Sequence, residues 1–218
     1  MCNFTKCIIL KLMTLNKNII TIQHPESVHH TNGMIGSWTD WELSEKGIHE
    51  AEKIAQNLIP EIQGKEFFIY SSTLKRTKQT SEIIGNILNT TPKFIDALKE
   101  RSLGKAIGKS MQWLKENIEK EELTIYDKCF DDAESRYEVW QRLYPFYLEI
   151  SNNDEENIII VSHGDTLSIF NVMWLGLNAE ILNFIDLYGV SGGVSFLHQT
   201  HTGKRIIKRL SDTSFMSF

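Results

Sequence analysis

The sequence predicts an α/β fold, a three-layer sandwich in which a mostly parallel sheet is flanked by helices. Three observations carry that prediction. Residues 18–22 (NIITI) and 158–161 (IIIV) are short β-branched runs of the kind buried on both faces of a parallel sheet. Each run leads into a histidine, Gln23-His24-Pro25-Glu26 after the first and Ser162-His163-Gly164 after the second. Around them, strand-like runs alternate with segments of helical spacing, the pattern of a layered sheet rather than a bundle or a sandwich of two sheets.

Taken in order, residues 18–22 form the first strand. Residues 43–59 carry Ile48, Ala51, Ile54, Ala55, Leu58 and Ile59 at helical spacing, with Ser44 as N-cap and Pro60 as the stop signal. Residues 67–70 are a second strand, followed by a helix from about 73 to 88, and residues 93–95 a third strand. Helices are expected over 111–120 and 133–150, the second bent or divided by Pro145. A helix over 166–174 follows the strand 158–161, and residues 193–198 and 205–210 read as a hairpin joined by Thr202-Gly203. No internal repeat or low-complexity linker divides the chain. Residues 18–218 are therefore read as one domain behind an N-terminal extension, 1–17, with the irregular stretch 105–135 as a cap-like insertion over the site.

Composition narrows the function classes. The 218 residues suffice for a substantial core, and 41% hydrophobic with 23% charged residues is ordinary for a globular chain. A net charge of −5 and a pI near 5.8 speak against nucleic acid or an anionic membrane as partner, so a phosphate site would have to be a local basic pocket. Cys2, Cys7 and Cys129 are odd in number and follow no metal-ligand spacing, which fits reduced thiols in a cytoplasm. No stretch is long enough to span a bilayer. Lys11 breaks the apolar run near the N-terminus, and Met13 is an alternative start.

Ligands of open α/β sheets bind beyond the carboxyl ends of the strands, which is where His24 and His163 fall. A neutral imidazole is a good nucleophile toward phosphorus and forms a phosphohistidine that water discharges. Such chemistry needs cationic donors for the phosphoryl oxygens and an acid for the leaving oxygen. Ser71-Ser72-Thr73-Leu74-Lys75-Arg76 follows a strand and opens a helix, so Arg76 faces the same edge. Leu98-Lys99-Glu100-Arg101 follows another strand and offers Glu100 as general acid–base, with His163 as a second phosphoryl donor.

With these residues in place, the chain resembles the histidine phosphatase superfamily, in its phosphoglycerate-mutase-like branch. Members open with a strand and Arg-His-Gly-Glu, matched here by Gln23-His24-Pro25-Glu26. The resemblance runs on through Ser27, Trp38, Asp40 and Leu43 to Gly47, then YSSTLKRTKQTSEII (70–84), LKERSLG (98–104), AESRYEVWQR (133–142), VSHGDTL (161–167) and LSDTSFM (210–216). It implies His24 as the phosphorylated nucleophile, Glu100 as proton donor, and Arg76 with His163 as phosphate holders. Gln23, His30 and Gly164 are counted with the substrate-binding residues. It implies neither metal nor organic cofactor.

Three departures from the family pattern bear on activity. Gln23 stands where an arginine normally precedes the nucleophile, and a neutral amide cannot supply a charged bidentate fork. Losing one charge-assisted contact costs roughly 1.5–3 kcal/mol, on the order of ten- to a hundredfold in transition-state binding. Pro25 replaces a glycine and removes a backbone donor. His30 replaces an asparagine, and the expectation is that it moves into the phosphate pocket and, when protonated, partly restores the lost charge.

The resulting reading is a cytoplasmic phosphatase that hydrolyses a small phosphomonoester through a phosphohistidine. The rival is a catalytically impaired member that binds a phosphorylated ligand, inorganic phosphate or a protein partner, favoured by Gln23 and Pro25. A phosphoglycerate mutase is the lesser alternative, because a mutase must retain a bisphosphorylated intermediate and this chain has lost a cation. A metal-dependent hydrolase on His24, His29, His30 and Asp40 lacks a recognisable ligand spacing. His198 and His201 read as strand-end residues, and Arg101 as either a surface charge or the reader of a second acidic group.

Overall fold

The computed structural model describes residues 16–217. Cys2, Cys7, Met13 and nearly all of the expected N-terminal extension lie outside these residues. One six-stranded sheet organises the rest. Its strands are β1 (Lys17–Gln23), β2 (Phe68–Ser72), β3 (Lys93–Ile95), β4 (Asn157–Ser162), β5 (Val194–Gln199) and β6 (Arg205–Asp212), in the order β3-β2-β4-β1-β5-β6. β3, β2, β4 and β1 pair in parallel, β5 runs antiparallel to β1, and β6 closes the edge as the second strand of the expected hairpin.

The helices are α1 (His29–Asn32), α2 (Glu45–Ile62), α3 (Lys75–Leu88), α4 (Met111–Asn117), α5 (Arg136–Asn152) and α6 (Gly164–Trp174). Period-two alternation in β4 explains the three layers. Ile158 and Ile160 join Tyr70, Leu143, Phe146, Phe170 and Trp174 on the α5–α6 face, while Ile159 and Val161 join Ile22, Ile54, Leu58, Ile69 and Ile84 on the α2–α3 face. A third cluster of Ile35, Ala106, Cys129, Phe130 and Ala133, with Trp113 and Leu114 against it, packs residues 103–133 around α4. Among the described residues no helix is long and apolar enough to cross a membrane.

Two prolines act differently from the expectation. Pro60 lies inside α2, which runs on to Ile62, and Pro145 lies inside an undivided α5. Each sits on the exposed face together with the residue four positions earlier, Gln56 or Gln141. Water can therefore take the carbonyl that the missing N–H leaves free, while packing on the opposite face holds the helix. Caps set the starts: the Ser44 hydroxyl accepts from Gly47 N at 3.0 Å, and Ser135 with Glu138 forms a capping box that opens α5 at Arg136 rather than at Ala133. The one-turn helix α1 has no counterpart in the sequence reading.

Candidate active site

Register brings the chemistry together. Gln23 of β1 pairs with Ser162 of β4, so His24 and His163, each one residue past its strand, emerge side by side. Ser72 of β2 pairs with Ile95 of β3. Arg76 in the first turn of α3 and Glu100 beyond the turn after β3 therefore reach the same edge. The loop after His24 is pressed against α2, where a Cβ on Gly47 would stand 1.8 Å from the Glu26 carbonyl, so only glycine fits.

His24 is buried, and its hydrogen bonds assign its tautomer. Nδ1 donates to the Pro25 carbonyl at 2.9 Å, leaving the Nε2 lone pair to accept from Arg76 Nε at 3.1 Å. Pro25 removes a donor, as its sequence position indicates, yet its carbonyl orients the His24 ring. Arg76 is itself buried and held by the Thr39 carbonyl at 3.0 Å and the Ser37 carbonyl at 2.8 Å. Burial lowers its pKa to about 10, which leaves it cationic at neutral pH. Burial first, and Arg76 second, push both His24 and His163 well below the ordinary imidazole range, so both are neutral.

His163 caps α6 and lies T-shaped to His24, with ring centroids 5.2 Å apart. Its Nε2 is 2.9 Å from Ser72 Oγ, a hydroxyl that already accepts from Leu74 N. The Ser72 proton is then free for Nε2, which puts the imidazole proton on Nδ1. That atom is buried and has no partner among the described residues, as a phosphoryl donor awaiting its acceptor would be. Gly164 opens α6 beside it, and a Cβ there would fall 2.8 Å from the Tyr188 hydroxyl.

Glu100 forms the opposite wall. Its Oε1 accepts from Arg101 N at 2.9 Å and from Thr166 N at 3.3 Å. Burial, and then the charge of Asp165, raise its pKa, which favours the protonated form a general acid needs. Its loop is pinned by Arg142, whose guanidinium donates to the carbonyls of Ala97, Lys99 and Glu100 at 2.6–2.9 Å. The Trp38 indole adds a fourth tie, to the Glu100 carbonyl at 2.6 Å.

His30 stacks on His24 with centroids 5.5 Å apart, and His29 lies 4.1 Å from His30. His30 Nδ1 accepts from Ser27 N at 3.2 Å. Partial burial and Arg76 lower the His30 pKa, and burial takes His29 down to about 3, so in the free pocket neither carries the charge expected of His30. Gln23 is buried, its Oε1 has no partner among the described residues, and it lines with His30, Lys46 and Gly189 an open groove of about 510 Å³. Asp40 is drawn away from the histidines to cap Lys75 N at 2.6 Å. Among the described residues no group of three or more His, Cys, Asp or Glu is arranged to hold a metal. His198 bonds Asn18 on β1, and His201 lies in the β5–β6 turn.

The family model of the histidine phosphatase superfamily (branch 1) matches residues 19–213. The chain belongs to the histidine phosphatase superfamily. Its similarity to the 2,3-bisphosphoglycerate-dependent phosphoglycerate mutase of Cytophaga hutchinsonii is 28% identity over 179 residues, 78% of this chain and 82% of that one. Among solved structures, mycobacterial glucosyl-3-phosphoglycerate phosphatase in complex with inorganic phosphate superposes with a TM-score of 0.76 at 17% identity, covering 91% of this chain and 99% of the other. The alpha-ribazole phosphatase of Shigella flexneri gives 0.75 at 19% identity, covering 90% and 96%. The superfamily match places this chain among phosphatases and mutases, and the solved structures share its sheet and flanking helices.

Sequence reasoning assigns no role to the supporting residues Ser72, Arg142, Thr166 and Tyr188. Ser72, Arg142 and Thr166 fall within the family-like segments 70–84, 133–142 and 161–167, which is their one signal. Tyr188 lies outside those segments, and a hydroxyl at a strand end or in a first helical turn has many ordinary uses.

Proposed function

We propose that the protein is a phosphatase that hydrolyses small phosphomonoesters through a phosphohistidine on His24. The observation that carries this reading is the pairing of a neutral, tautomer-fixed His24 with a Glu100 held toward its protonated form. Arg76 and the free Nδ1–H of His163 take the phosphoryl oxygens, and Nε2 attacks phosphorus as the bond to the leaving oxygen breaks. Glu100 gives its proton to that oxygen. Water then attacks the phosphohistidine, Glu100 carboxylate takes the water proton, and inorganic phosphate leaves with the Nε2 lone pair restored. Residues 105–135 are assigned the role of a cap that shapes the leaving-group side.

Hydrolysis is favoured over mutase action because Gln23 leaves Arg76 as the cation nearest the nucleophile, poor equipment for retaining a bisphosphate. The same feature supports a second reading, a member that binds a phosphorylated ligand without turning it over. Release of phosphate from an aryl phosphate at pH 5–8, with chelator present, decides between them. Wild type is expected to turn over and His24→Ala to fall by at least about a thousandfold. Vanadate binding without turnover in the wild type gives the second reading the lead.

A further inference from the structure

We infer that the pocket beyond Glu100 selects phosphomonoesters with a neutral, partly apolar leaving alcohol and rejects those carrying a second anionic group. The inference rests on the phosphatase reading and deepens it to a substrate class. In-line displacement puts the leaving group opposite His24 Nε2, on the side of Glu100. Arg101, next to Glu100 in the chain, and Arg136, joined to it through Asp165, line a cavity of about 290 Å³ together with Glu122, Leu123, Ile125 and Leu182. Two arginines beside a phosphate pocket would ordinarily invite a carboxylate or a second phosphate.

Both arginines are already engaged. Arg101 turns the two ends of its fork onto Glu122, at 2.5 and 3.2 Å, and its Nε onto Asp165 at 2.9 Å. Arg136 meets Asp165 through Nε at 2.8 Å and Asp186 through Nη2 at 3.2 Å. Two cations thus face three carboxylates, and Asp127 adds a further acid to the lining. An incoming anion must open the Arg101–Glu122 fork while the displaced Glu122 remains nearby as a like charge. A neutral alkyl or aryl body disturbs none of these pairs and meets Leu123, Ile125 and Leu182 instead. Glu122 is therefore a specificity-determining residue, and Asp186 acts in the same sense through Arg136.

Calorimetric titration with two phosphonates of similar size tests this, butylphosphonate for the neutral class and 3-phosphonopropionate for the carboxylated one. Wild type is expected to bind butylphosphonate about tenfold more tightly. Glu122→Gln should shrink that ratio roughly three- to tenfold by freeing the fork, and Asp186→Asn should shift it the same way by less. Unchanged affinity for butylphosphonate shows that both variants fold. Equal binding of the two ligands to wild type, or a ratio unmoved in both variants, overturns the inference. Aryl phosphate turnover on the same samples judges the phosphatase reading separately, because selectivity between phosphonates needs no chemistry.

Discussion

Where the ends of β1 and β4 meet α1, four imidazoles gather beside the guanidinium of Arg76. On the wall formed by the β3 loop, α5 and the start of α6, Arg101 and Arg136 meet Asp165, Glu122 and Asp186, while Arg142 meets Glu134. Burial governs the first wall: it strips protons from the histidines, which suits His24 to the proposed attack but leaves little positive charge for a dianion. Pairing governs the second: Arg101 and Arg136 each face carboxylates, while burial and the charge of Asp165 favour the protonated form of Glu100. In the proposed mechanism one wall thus serves attack with weak holding, and the other proton donation with little appetite for a second anion.

Removing the acid is the largest expected break in that division. Activity should fall as pH rises through the raised pKa of Glu100, which strips the acid, and as pH falls through the lowered pKa of His24, which protonates the nucleophile. The optimum lies between the two limbs. Glu100→Gln should erase the alkaline limb and cost about 10²–10⁴ in kcat/KM for an alkyl phosphate. The loss should be far smaller for 4-nitrophenyl phosphate, whose leaving oxygen needs little protonation. Identical pH profiles in wild type and variant would mean that the second wall does not supply the proton.

Much of this contrast is legible in the chain itself. The β-branched runs before His24 and His163, and the strand-to-helix passage to Arg76, locate the nucleophile wall, because parallel strands deliver their C-terminal loops to one edge of the sheet. The family pattern supplies Glu100. The ion pairs of the second wall are not legible, because Arg101, Glu122, Asp165 and Asp186 are brought together by loops that carry no periodicity. The neutral state of His30 is hidden for a related reason: ring packing against His24 and His29 is a tertiary fact. Pro60 and Pro145 mislead locally, since propensity yields where packing on one face holds a helix and water serves the other.

Adding charge to the nucleophile wall sharpens the comparison from the other direction. Gln23→Arg restores a fork beside His24, and the adjoining groove of about 510 Å³ gives the longer side chain room. Vanadate or phosphate affinity at pH 7 should rise roughly tenfold, the worth of one charge-assisted contact. Isothermal titration measures it. An unchanged affinity would show that Arg76, His163 and the start of α6 already hold the phosphoryl group fully, and that the missing arginine has no cost here.

The smallest effect concerns His30. Neutral in the free pocket, it can become cationic only when a bound phosphoryl dianion opposes the burial and the Arg76 charge that lower its pKa. As the pH falls the balance tips toward that cation, which then stands in part for the absent arginine. His30→Asn should therefore lose about threefold in kcat/KM near pH 5.5, an exposed charge being worth little, and match wild type near pH 7.5. Parallel pH profiles of the two proteins supply the measurement. A variant that gains activity at neutral pH would show His30 to be an obstruction beside His24, and the loss of activity with rising pH would then belong to Glu100 alone.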